Sequence, residues 1–164
     1  MNPDITRIGK DLKKTLNSNK GLKLLNQWQC GWTDGGCLVL AKALRRWLGE
    51  GNILGVWEPV PLVAKNVKSK RYQIPLHKED IQHHAVLQIN NWLIDGDGIF
   101  TRDVFMARWN ASIYRDRVEL RPFDFETAQT QGVETRYDIE DATVRFLDDK
   151  FRRSAVLNTL QKSA

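Results

Sequence analysis

The sequence is poor in cysteine, methionine and histidine, and it has no long apolar run. Its 164 residues include two cysteines, two methionines and three histidines. Two cysteines are too few for a disulfide framework, and no stretch approaches the roughly 20 apolar residues that a membrane-spanning helix needs. The polar start at residues 1–4 lacks the apolar core of a signal peptide. These absences predict a cytoplasmic protein, with export by a dedicated secretion system or presence in a virion left open.

The remaining composition is that of a folded protein. Hydrophobic residues make up 41% of the chain, and six residues are tryptophan, which argues against disorder. The length suits one domain over residues 1–164, and neither an internal repeat nor a linker interrupts it. We therefore expect a single domain with a substantial apolar core.

The net charge of +5 comes mainly from three groups of basic residues. These are Lys10, Lys13, Lys14, Lys20 and Lys23; then Arg115, Arg117 and Arg121; and finally Arg145, Lys150, Arg152 and Arg153. Such groups can bind phosphates or acidic partners, but they are more often solvated helix faces. No zinc-finger spacing, RNA-binding aromatic motif or helix-turn-helix pattern accompanies them, so direct nucleic-acid binding is not favoured. The sequence does not indicate an oligomeric state.

The segment 33–49 predicts a glycine-rich loop that runs into a helix with a cysteine in its first turn. Thr33 or Asp34 can cap this helix, and Gly49 is well placed to end it. The residues expected on one helix face are Cys37, Leu40, Ala41, Leu44 and Leu48. This places Cys37 at the buried side of the positive end of the helix.

A thiol at a helix N-terminus can lose its proton below its usual pKa of about 8.5. The thiolate is the nucleophilic form, and the free N–H groups of the first turn can hold an oxyanion. The plain alternative is that Cys37 is a small apolar residue at the start of a core helix.

Hydrophobic periodicity and turn residues predict the remaining elements. We expect further helices at 4–16, 21–28, 101–109 and 138–160, and strands at 52–63, 83–89, 92–95 and 118–120. Two prolines limit the first strand to an edge or bent strand, and residues 65–80 form an irregular basic connection. Thr101 and Asp138 are expected to cap the last two helices, and Val104, Phe105 and Trp109 are expected on the inward face of the first of these.

The two middle strands form a hairpin, because Asn90-Asn91 is a typical two-residue turn. Alternation of side chains then places His84 on the same face as Asp95 and Asp97, while His83 points the other way. A register slip of one residue would reverse this choice. A cysteine, a histidine and a carboxylate in this order can supply a nucleophile, a base and a group that orients the base.

Three short motifs carry a resemblance to a known group. They are Gly35-Gly36-Cys37 entering a helix, His84-Ala85-Val86 starting a strand and Leu93-Ile94-Asp95 ending one. This pattern resembles the papain-like and transglutaminase-like cysteine superfamily, and in particular papain-like toxin and effector domains and the arylamine N-acetyltransferases. The resemblance covers about residues 30–110.

The resemblance implies a papain-like α+β fold, in which the cysteine-bearing helix packs on an antiparallel sheet with flanking N- and C-terminal helices. It implies acyl chemistry on a protein or peptide without a cofactor: peptide or isopeptide cleavage, deamidation, transglutamination or acyl transfer. Cys37 would be the nucleophile, His84 the base and Asp95 the orienting group, with Asp97 as the competitor. Gln29 would be an oxyanion-hole candidate, although it lies eight residues before the cysteine, which is not the papain spacing.

Other interpretations stay open. Trp32, close to Cys37, is a candidate wall of a substrate groove, whereas the other tryptophans are expected in the core. The residues that a zinc site would use are Cys30, Cys37, His77 and His84, but six residues between the cysteines are too many for a usual zinc knuckle. His84 and Asp95 taken singly also suit a sheet-edge histidine and a turn residue. The rival function is a non-catalytic papain-like binding module, such as a phage or mobile-element protein that blocks a host partner through its basic surface.

Overall fold

The computed structural model describes residues 3–25, 31–33, 35–59, 80–112, 118–126 and 136–162. The helices are α1 (Pro3–Leu16), α2 (Asn19–Lys23), α3 (Cys37–Leu48), α4 (Arg102–Ser112), α5 (Tyr137–Lys150) and α6 (Arg153–Lys162). The strands are β1 (Asn52–Glu58), β2 (Ile81–Ile89), β3 (Trp92–Asp95), β4 (Gly98–Thr101) and β5 (Glu119–Pro122). None of the helices in these ranges is long and apolar enough to cross a membrane.

The five strands form one sheet in the order β4-β3-β2-β1-β5, and every neighbouring pair is antiparallel. The predicted α+β class is therefore confirmed. The first strand was expected to be an edge or bent strand. It is not an edge strand, because β5 pairs with β1 over Leu54–Trp57. It is irregular, since its register with β2 shifts between Val56 and Trp57.

Apolar side chains cover both faces of the sheet. The larger cluster joins α1, α3, α5 and α6 to one face and includes Ile5, Leu40, Leu44, Leu87, Leu147 and Leu160. The smaller cluster lies under α4 and consists of Val56, Val86, Leu93, Phe105 and Val118. Because side chains alternate along a strand, Ala85 and Leu87 belong to the α3 face, whereas His84 and Val86 belong to the α4 face.

Helix α3 ends where the sequence predicts but begins differently. Gly49 adopts a φ of 83° and its N–H bonds to the Arg45 carbonyl at 2.8 Å, which is a left-handed helix cap. The N-cap is Gly36, without a side-chain cap bond, rather than Thr33 or Asp34. A Cβ at Gly36 would lie 2.8 Å from the Gly31 carbonyl oxygen, so close packing of this loop requires glycine there.

Several other boundaries differ from the sequence predictions. Strand β4 was not expected. Helix α4 begins at Arg102, directly after the expected cap Thr101, but it continues to Ser112. Phe105 is buried as predicted, whereas Val104 is exposed rather than inward. The expected helix over 138–160 is two helices, separated at Phe151, which is extended and packs edge-on against Trp47. Arg136, and not Asp138, is the N-cap of α5.

The segment predicted as a helix over 21–28 is helical over Asn19–Lys23, with Ser18 as its N-cap. The first predicted strand, over 52–63, is confirmed as far as Glu58. Residues 26–30 lie outside the described ranges, as does nearly all of the expected connection at 65–80.

Candidate active site

The β2–β3 hairpin has the predicted register. Ile89 pairs with Trp92 and Leu87 with Ile94, and Asn90 at the turn has a φ of 51°. Strand β3 ends at Asp95, which pairs with Gly98 of β4. The chain therefore turns away after Asp95, so that Asp97 does not continue the ladder opposite His84.

Asp95 is the carboxylate that contacts His84. Its Oδ2 lies 3.3 Å from His84 Nε2, and the exposed fractions of the two side chains are 3% and 0%. Its Oδ1 accepts a hydrogen bond from the backbone N–H of Asp97 at 2.8 Å. Asp97 itself pairs with Lys13 and Arg108, which lower the pKa of its carboxyl group against the opposing effect of partial burial. The structure thus places Asp95, and not Asp97, behind the imidazole.

Cys37 is the first residue of α3 and lies beside His84. Strand β3 pairs with β2 only over Leu87–Ile89, and the part of β2 before this ladder borders the start of α3. Burial by itself raises the pKa of the Cys37 thiol. The His84 imidazole and the backbone N–H groups of Ala85 and Leu38 outweigh burial and hold that pKa below its ordinary value.

The pKa of His84 is raised, whereas that of Cys37 is lowered. Burial favours the neutral ring and lowers its pKa, but the Asp95 carboxylate and the Cys37 sulfur favour the charged ring. The net effect raises the pKa of His84 to about 9. A lowered thiol pKa beside a raised imidazole pKa favours a thiolate–imidazolium pair at neutral pH.

Aromatic rings of α4 cover the imidazole. The Trp109 ring lies 4.9 Å from the His84 ring, centroid to centroid, and Phe105 lies 6.4 Å away. Within the described residues, neither His84 nitrogen makes a well-aligned hydrogen bond, although Asp95 and the Cys37 sulfur lie close enough to raise the pKa of the ring. Cys37 is partly exposed as a residue, although burial still acts on its thiol group.

The remaining predicted residues lie elsewhere. Trp32 does not line a groove: it is fully buried in the larger apolar cluster, where its indole N–H donates to the Leu16 carbonyl at 2.9 Å. Gln29, like the zinc candidates Cys30 and His77, lies outside the described residues. Within the described ranges, no group of three or more histidine, cysteine, aspartate or glutamate side chains is arranged so that it could hold a metal ion.

Some of the predicted basic surface is already neutralised by ion pairs. Arg121 pairs with Asp80 and Glu119, and Lys150 pairs with Asp149. Arg115 and Arg117 are outside the described part of the chain. The basic groups are therefore less available to an acidic partner than their number in the sequence indicates.

Sequence reasoning missed two contributors to the site: the ring of Trp109 above His84 and the backbone N–H of Ala85 beside Cys37. Trp109 follows Phe105 by four residues, so helical spacing places both rings on one face of α4. That spacing predicts a shared face, but it does not reveal that the face covers a histidine. The Ala85 contact depends on tertiary structure and leaves no sequence signal.

The chain matches no protein-family model, no curated protein and no solved structure. The functional conclusion therefore depends on the geometry of the site itself.

Proposed function

We propose that this chain is a cysteine-dependent acyl-transfer enzyme of the papain-like kind, acting on a protein or peptide carbonyl. The observation that supports it most directly is the convergence of three side chains distant in sequence. Cys37 at the start of a helix adjoins His84, and Asp95 lies 3.3 Å behind that ring. The opposite pKa shifts of Cys37 and His84 are those that thiol catalysis at neutral pH requires.

In the first half of the reaction, the Cys37 thiolate attacks the substrate carbonyl carbon. The carbonyl π electrons move to oxygen, and the oxyanion can accept bonds from N–H groups of the first turn of α3, which has no side-chain cap. The His84 imidazolium then gives its proton to the leaving amine as the carbon–nitrogen bond breaks. The products are a free amine and a thioester on Cys37.

In the second half, neutral His84 takes a proton from water or from an acceptor amine as that nucleophile attacks the thioester. The thiolate leaves and the imidazolium forms again, so no cofactor is consumed. Asp95 fixes the orientation of the ring through Nε2 and stabilises its positive charge, which leaves Nδ1 as the nitrogen for proton exchange on the sulfur side.

An activated ester tests the proposal without knowledge of the natural substrate. We expect p-nitrophenyl acetate to acetylate the protein at Cys37, with an initial burst of nitrophenolate equal to the enzyme present. Intact-protein and peptide mass spectrometry would locate the acetyl group. Cys37→Ser and His84→Gln should abolish the burst, whereas His83→Gln, at the neighbouring position, should retain it.

Two results would overturn the proposal. One is acetylation that spreads over surface lysines and ignores Cys37. The other is a Cys37 thiol with an ordinary pKa, as measured by iodoacetamide alkylation between pH 5 and 9. If that thiol were ordinary and the protein bound an acidic partner in a salt-sensitive manner, the non-catalytic binding module would be the better description.

A further inference from the structure

The turn between β3 and β4 is held from two sides by charged side chains. Asp97, in this turn, pairs through Oδ1 with Lys13 of α1 at 2.9 Å and through Oδ2 with Arg108 of α4 at 2.5 Å. The guanidinium of Arg108 also lies 4.2 Å from the Phe100 ring centroid. Both carboxylate oxygens of Asp97 are therefore engaged, although neither contacts the proposed catalytic residues.

Uncharged contacts hold the same turn on the side of α1. The Asn17 side-chain amide donates to the Gly96 carbonyl at 3.3 Å. Gly98 has a φ of 131°, and a Cβ there would lie 3.0 Å from the carbonyl oxygen of Gly9. The turn thus lies directly against α1, a helix outside the region over which the chain resembles papain-like proteins.

This turn connects to the proposed site through one backbone group. The N–H of Asp97 donates to Asp95 Oδ1 at 2.8 Å, and the other oxygen of Asp95 contacts His84. The direction of the Asp95 carboxylate therefore depends on where the Asp97 backbone lies. Since the ion pairs with Lys13 and Arg108 fix Asp97, they also restrict Asp95.

We infer that Asp97 is a positioning residue, which Lys13 and Arg108 hold in place so that its backbone N–H aims Asp95 at His84. This inference rests on the proposed function, because it assigns a role within the same Cys37–His84–Asp95 site. Lys13 and Arg108 are then part of the support of the site. The N-terminal helix α1 contributes to the chemistry through Lys13 and its contact with the turn.

The direction in which the pKa of the Cys37 thiol moves when the Asp97 charge is removed distinguishes positioning from a direct electrostatic effect. The charged groups around Asp97 are Lys13 and Arg108, and those around His84 are Asp95 and the Cys37 sulfur. Removal of the Asp97 charge leaves two unpaired cations, whose field alone would favour the thiolate. If Asp95 no longer pointed at His84, the protonated ring would be less stable, and the pKa of the Cys37 thiol would rise instead.

The test is the pH profile of Cys37 alkylation by iodoacetamide in the Asp97→Asn variant. We expect its midpoint to move to higher pH and the alkylation rate at pH 6 to fall roughly three- to tenfold. Asp103→Asn, an exposed acid on α4, is the matched control and should leave the profile unchanged. Arg108→Lys keeps the positive charge, so it should cause a smaller shift in the same direction, about twofold.

Thermal unfolding of each variant shows whether it is folded. An unchanged or lower midpoint in Asp97→Asn, with a low thiol pKa in the parent, overturns the inference and leaves the proposed function intact. If Asp97→Asn does not fold, an unchanged pH profile of Cys37 alkylation in Arg108→Lys likewise overturns the inference. An ordinary thiol pKa in the parent protein overturns the proposed function itself, whatever the variants do.

Discussion

Two adjacent histidines on β2 each have a carboxylate partner, yet only one lies in a candidate site. His83 Nε2 is 2.7 Å from Glu58 Oε2, which is closer than the 3.3 Å between His84 and Asp95. The side chain of His83 is 32% exposed and that of His84 is 0% exposed. Proximity to a carboxylate therefore does not distinguish the two rings.

What differs is the rest of the surroundings. The register between β1 and β2 shifts at His83, since Val56 pairs with His84 and Trp57 with Gln82. His83 is left as the extra residue of a bulge, at the surface. His84 instead points into the α4 face, beside Cys37 and under Trp109. His84 is thus distinguished from His83 by its burial and by the neighbouring Cys37 sulfur. Contact with a carboxylate does not distinguish them, because both histidines have it.

The largest expected effect comes from removal of the Cys37 sulfur, which lies beside His84 and not beside His83. Cys37→Ser and Cys37→Ala should lower acyl transfer by about 10⁴-fold or more, because the nucleophile is lost. Both substitutions are small, so the melting temperature should change by no more than a few degrees. Burst kinetics with the activated ester and calorimetry measure the two quantities. A Cys37→Ala protein that kept its activity would show that the reaction takes place elsewhere.

The next effect tests the two histidines against each other. In His84→Gln, the thiol loses the imidazole that lowers its pKa, so alkylation of Cys37 at pH 6 should slow by roughly 10- to 100-fold. In His83→Gln, the rate should stay within about twofold, because that ring is partly exposed and its partner is Glu58. The rate of carbamidomethylation, followed by mass spectrometry, measures both variants. Equal effects of the two substitutions would contradict the assignment.

A third prediction uses the raised pKa of His84. The imidazolium persists to about pH 9 and is lost above it, whereas the thiolate persists at all higher pH values. Acyl transfer from an amide needs both groups, so its rate should decline as the pH rises through about 9, while alkylation should not. His83→Gln should leave this descending limb in place. A parallel decline of both rates above pH 9 would point to unfolding instead of titration.

The choice between the histidines is the part of the site that the sequence predicts best. An Asn-Asn turn fixes the hairpin register, and a period of two then decides which side chains share a face. The choice between Asp95 and Asp97 is different, because it depends on where β3 ends. That end is set by pairing with β4, a four-residue strand starting at a glycine, which has too little pattern to predict.

The remaining errors also have tertiary causes. The cap of α3 must be glycine, because a Cβ at Gly36 would be too close to Gly31 and Leu25. The sequence does not predict this close contact. Trp32 is adjacent to a glycine-rich loop, which favours exposure, but its side chain turns into the core and bonds to Leu16. The apolar spacing of the C-terminal region continues across Phe151, so periodicity alone cannot locate the break between α5 and α6.

The smallest expected effect concerns the ring that covers His84 and has no counterpart among the described contacts of His83. The Trp109 ring is tilted by 38° to the imidazole at 4.9 Å, where an aromatic face stabilises a cation by roughly 0.5–2 kcal/mol. Trp109→Leu removes that face, so the pKa of His84 should fall and the descending limb of acyl transfer should move to lower pH. Trp109→Phe keeps an aromatic face and should move it less. Nuclear magnetic resonance titration of the His84 ring would measure the shift directly, with His83 in the same spectrum as the internal reference. If both rings shifted together, the effect would be a change in the whole of β2, and Trp109 would not act on His84 alone.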